Sequence, residues 1–62
     1  MITATGKMLI WDVEFFYKGE WRFHNQEAFY EKAEDWADWV YVTLKVPSRI
    51  VLRGEGVVRV YP

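Results

Sequence analysis

Cysteine is absent from this 62-residue chain, and histidine and serine each occur once, at His24 and Ser48. Without cysteine there is no disulfide framework and no thiolate metal site. Nucleophilic catalysis has little to draw on: Ser48 follows Pro47, and no second histidine is present to act as base. The glycines of "RGEG" do not precede a helix pattern, so no phosphate cradle is implied. Asp12 and Glu14 are paired carboxylates, but on a flat strand face they lack the cleft that acid–base chemistry needs. No apolar run approaches the roughly 20 residues of a membrane span, and no cleavable signal pattern opens the chain. Net charge is small too, eight Lys/Arg against nine Asp/Glu, so nucleic-acid binding gains no support from it. These absences point to one soluble domain over residues 1–62 in the cytoplasm, with no catalytic residue, metal or cofactor.

Aromatics are what the chain has in excess: four Trp, four Tyr and four Phe. Each carries roughly 150–250 Å² of buriable surface, while a domain this small hides only about 60% of its unfolded area. Some aromatics should therefore stay on the surface, where binding anchors are found.

Residues 1–6 read as a loose lead-in. From Lys7, Leu9, Trp11, Val13, Phe15 and Tyr17 alternate along one face, and Met8, Ile10, Asp12, Glu14 and Phe16 along the other. That period of two makes a strand. Gly19 suits a three-residue loop, Tyr17-Lys18-Gly19, with a bulge. The loop sets Phe15 against Trp21, Val13 against Phe23, Glu14 against Arg22 and Asp12 against His24, which keeps the apolar faces together. A two-residue loop at Lys18-Gly19 mixes them. Asn25 is a good helix N-cap, with Glu27 in the first turn. Phe29, Ala33, Trp36, Ala37 and Val40 then recur at helical spacing, so a helix is predicted from Gln26 to about Val42, followed by an extended link to Pro47. The tail "SRIVLRGEGVVRVYP" fits one long, bulged strand, which we favour, or a hairpin turning at Gly54-Glu55-Gly56.

The predicted fold is thus α+β: ββαβ, a small antiparallel sheet of order 2-1-3 with one helix on a single face. The uncovered face is expected to present Met8, Ile10, Phe16, a Glu14/Arg22 pair, Arg53 and Arg59. A homodimer could bury Met8, Ile10 and Phe16 there.

Taking Phe29 as the origin of a helical projection, Ala33, Trp36, Ala37 and Val40 fall within about 80° of it. Glu27, Glu31, Glu34, Asp35 and Asp38 all fall between roughly 140° and 240°. Like charges four residues apart weaken a helix modestly, and a helix serving structure alone usually intersperses lysines. Trp39 lies at the border between the two stripes. This set, Glu27, Glu31, Glu34, Asp35, Asp38 and Trp39, is the candidate partner-binding surface, an acidic ridge suited to a basic groove on another protein. The competing reading is single-stranded nucleic-acid binding on the open sheet through Phe16, Arg22, Arg53, Arg59 and Tyr61. There, Asp12 and Glu14 would oppose the phosphates.

The ββαβ order, the short cysteine-free chain, and the acid-rich "AEDWADWVY" before a final "VVRVYP" resemble small bacteriophage host-takeover proteins. Phage inhibitors of host RNA polymerase and of uracil-DNA glycosylase are the comparisons. The likeness covers about residues 7–62 and rests on layout and composition without a diagnostic motif. The tryptophan content here is much heavier, so no functional residue is carried over. The resemblance implies a non-enzymatic inhibitor, acting in the host cytoplasm, that occupies a basic groove of a nucleic-acid-handling protein.

Overall fold

The computed structural model describes residues 9–62; Met8 and the predicted lead-in lie outside the described residues. The elements are β1 (Trp11–Tyr17), β2 (Glu20–Glu27), α1 (Tyr30–Leu44), β3 (Ser48–Leu52) and β4 (Gly56–Tyr61). All strand pairings are antiparallel, in the order β2-β1-β3-β4, with α1 across one face. The α+β class and the placement of the third strand beside the first agree with expectation. The layout is ββαββ, because the tail is a hairpin rather than the favoured single strand. Gly54 and Gly56 both take positive φ, 88° and 129°, and Glu55 N donates to Leu52 O. Backbone of that kind ends a strand at a glycine instead of running through it. No helix of the described residues is long and apolar enough to cross a membrane.

The first hairpin differs from its predicted register. Tyr17 pairs with Glu20, so the loop is the two residues Lys18 and Gly19, with φ of 51° and 82°. Two positive-φ residues make the type I′ turn whose twist matches the flanking strands. As the shorter loop requires, Phe15 lies opposite Arg22 and Glu14 opposite Phe23. A β-bulge then corrects the phase. Val13 pairs with Asn25, and His24 is the unpaired extra residue. Neither the Glu14/Arg22 pair nor the Asp12/His24 pair forms.

Nor is Asn25 a helix cap: β2 runs on to Glu27, and the helix starts two residues after Ala28, behind an extended Phe29 that offers no side-chain cap. At the far end the helix passes Val42 to Leu44 and closes on Lys45 in the left-handed region. Its buried stripe is Ala33, Ala37 and Val40, facing Val13 and Ile50. The two alanines let the helix lie close to the sheet, close enough for the buried Ser48 Oγ to donate to Ala37 O at 2.6 Å. Trp11 and Tyr30 seal one side of this core edge-to-face at 5.0 Å. Because the stripe centres on the alanines rather than on Phe29, Trp36 is carried out of the core toward β2 and is 39% exposed. Its predicted core role is corrected on that ground.

Candidate functional site

The bulge in β2 matters most at the helix. His24, its extra residue, keeps the alternation set by the two-residue turn and lies with Arg22 on the helix side of the sheet, where its ring centroid lies 5.3 Å from Trp36 and 6.4 Å from Trp39. Phe15 meets the same imidazole edge-on at 6.1 Å. Trp36 and Trp39 contact each other edge-to-face at 5.7 Å, a favoured aromatic geometry. A line of rings thus runs from Phe15 in β1 out to two half-exposed indoles. Asn25 fixes the imidazole: its Nδ2 donates to Glu27 Oε2 at 3.1 Å, which leaves Oδ1 facing His24 Nδ1 at 2.7 Å. A carbonyl oxygen only accepts, so Nδ1 carries the proton. Trp36 and Trp39, with Lys32 and Asp35, line an open cleft of about 450 Å³ along the outer helix.

The predicted acidic ridge is shorter than its pattern suggested. Glu31, Asp35 and Asp38 are exposed on α1. Glu34 is engaged instead, accepting from Arg59 Nη1 at 2.7 Å. Glu27 belongs to β2, not to the helix, and is tied to Asn25. Trp39 is 47% exposed, which answers whether its border position is covered: it is open. Sequence reasoning missed His24 as the support beneath the indoles. The signal for it was the Lys18-Gly19 dipeptide, since a two-residue turn sets Arg22 opposite Phe15 and so puts His24 on the helix side.

The five residues of the nucleic-acid reading are divided between opposite faces. Phe16 is on the open face, edge-to-face with Trp21 at 5.2 Å. Arg53 shares that face but is bound to Asp12 through two hydrogen bonds, 3.1 and 2.6 Å, and to Gln26 at 2.8 Å. Hydrogen bonding to Asp12 raises the Arg53 pKa beyond its ordinary value. The other three lie on the helix side. Arg22 donates to Tyr17 O and lies over the Tyr17 ring. Arg59 is opposite the core residue Ile50, and Tyr61 opposite Ser48. Arg59, expected on the uncovered face, is therefore on the covered one. A hydrogen bond with Tyr30, followed by the field of Tyr61, raises the Arg59 pKa; burial raises that of Tyr61.

On the open face, β1 supplies Asp12 and Glu14, β3 supplies Arg49, and Arg53 follows directly after β3. Arg49 Nε donates to Glu14 Oε1 at 2.7 Å while its guanidinium lies 4.2 Å from the Trp21 ring centroid. Trp21 and Phe23 flank this charged band on β2 and Val57 and Val60 on β4, while Phe16 of β1 and Val51 of β3 lie within the two charged strands. No protein-family model matches the chain, and no curated protein or solved structure does.

Proposed function

We propose that the chain is a non-enzymatic protein-binding module that presents the outer face of α1 to a basic surface. The observation that carries this reading is the pair Trp36 and Trp39, both substantially exposed, braced on His24 and bordered by Asp35. Exposed tryptophans held rigid from below lose little side-chain entropy on binding, and such residues dominate interface energies. Lys32 and Asp35 share the cleft with the indoles, and Glu31, Asp35 and Asp38 continue from the Trp39 side as a negative flank, which steers a positively charged partner and repels nucleic acid. The partner class that fits is a protein with a basic groove, and occupying that groove would inhibit a nucleic-acid-handling protein in the cytoplasm. That outcome is in keeping with the resemblance to phage host-takeover inhibitors.

The test is comparative capture from cell lysate with the wild-type chain, Trp39→Ala, and Glu31→Lys/Asp35→Lys. All three are expected to fold alike by circular dichroism, since none of the three side chains is buried. A partner held by the wild type should bind Trp39→Ala about 30-fold more weakly, the scale of a hot-spot residue. The charge reversal should lose it at physiological salt. A partner retained equally by all three sinks the proposal.

A further inference from the structure

The open sheet face carries a charge pattern with a specific symmetry. One row crosses all four strands: Phe23 in β2, Glu14 in β1, Arg49 in β3 and Val60 in β4, each directly opposite the next. The acid lies on one side of the β1/β3 boundary and the base on the other. An aromatic ends the row on the acid's side, and a small aliphatic residue ends it on the base's side. Phe23 is 58% exposed and Val60 50%.

We infer that this face binds a second copy of the same chain, through a two-fold axis that lies between the two sheets and runs along the strands. Rotation about such an axis exchanges left and right while preserving position along the strand. Glu14 of one copy then lies over Arg49 of the other, Arg49 over Glu14, and Phe23 over Val60. The four charges alternate in sign, and each large ring packs on a small side chain, as interdigitating sheets require. A two-fold axis across the strands sets acid over acid and is excluded. Burying charges is costly when they must leave water. Here the Glu14 and Arg49 side chains are already only 23% and 24% exposed within one copy, so association removes little further solvent from them.

The same neutralised face suits other occupants poorly. A nucleic acid meets Asp12 and Glu14, and a strongly charged protein finds every open-face charge named above already paired. In size, four strands at about 4.8 Å spacing and about six residues at about 3.3 Å make each face roughly 20 Å on a side. Two such faces total about 800 Å², below the roughly 1,200 Å² at which stable specific interfaces begin, so the dimer should be weak and reversible, with a dissociation constant on the order of 10–100 µM.

The decisive experiment is sedimentation of the wild type and of a charge-swapped variant, Glu14→Arg/Arg49→Glu, alone and mixed. The wild type should pass from monomer to dimer over about 1–500 µM. The swap preserves both the internal ion pair and the alternation between copies, so it should dimerise alone with an affinity within about threefold of wild type. In the mixture like charges meet, and a tagged swapped chain should capture no wild-type chain. Phe23→Lys alters an exposed side chain outside the core; it should remain folded and weaken dimerisation about 100-fold, by leaving a lysine against Val60. A wild type that stays monomeric to about 500 µM overturns the inference. Ready formation of mixed dimers overturns it too, as does a dimer that survives Phe23→Lys unchanged. If the swapped chain does not fold, the wild-type and Phe23→Lys results decide alone.

Discussion

Lys18 and Gly19 are the two residues on which the register of the whole first hairpin depends. Both sit at positive φ, and a lysine there is strained where asparagine or glycine is at ease. Lys18→Asn should therefore stabilise the fold by about 0.5–1 kcal/mol, and Gly19→Ala should destabilise it by about 1 kcal/mol, with no contact changed. Urea unfolding followed by tryptophan fluorescence measures both; equal stabilities would mean that the turn is not held in this geometry. The same two residues explain what was hard to read. The alternation in "WDVEFFY" was legible and correct, but keeping the apolar faces together favoured a longer loop. The chain instead takes the better turn and restores the phase at His24. A bulge leaves almost no local signature, because it is selected by packing several residues away. The indole support was missed with the turn itself, because a loop one residue longer puts His24 on the open face.

At the scale of elements, α1 shows which patterns transfer. The stripe of Ala33, Ala37 and Val40 was readable from spacing and is fully buried. The start was not, because Asn25 has good capping chemistry but is needed by β2, and strand pairing outweighs a cap of about 1 kcal/mol. The ridge of acids was right for Glu31, Asp35 and Asp38. Glu34 could not be separated from them without knowing that β4 returns beside the helix and places Arg59 within 2.7 Å. The tail glycines fitted both a favoured single strand and a hairpin, and the structure takes the hairpin. What the helix lacks is a cap: Phe29 has the extended backbone of that position, no side-chain bond to the first turn, and 66% exposure. Phe29→Asp supplies both an acceptor for the free N–H groups and a charge that suits the helix dipole, at little loss of burial. It should raise stability by about 1 kcal/mol in equilibrium unfolding at neutral pH. The gain should fall away below about pH 4, where the carboxylate is protonated. An unchanged midpoint would show that the helix start is satisfied in another way.

For the molecule as a whole, the two faces of the sheet have different tasks. Among the described residues, the fully buried hydrophobics of the covered face are Val13, Ala33, Ala37, Val40 and Ile50, two of them alanines. That is little apolar volume to set against the entropy of ordering a chain of this length. Phe23, Val57 and Val60 contribute almost nothing to it while they face water. If the open faces pair as inferred, their burial is added to stability only when the dimer forms, and folding becomes linked to concentration. The melting temperature should then rise by about 3–5 °C for each tenfold increase in concentration above the dissociation constant, given the small unfolding entropy of a domain this size. Phe23→Lys should melt at the lower, monomer temperature and show no such rise. Trp39→Ala, which loses its contacts with Trp36 and His24, should melt lower by a constant amount but rise with concentration as the wild type does, because the helix face and the open sheet face share no side chain. Calorimetry of the three proteins from about 10 to 500 µM separates the cases. A melting temperature independent of concentration in the wild type would leave the small core to hold the fold by itself.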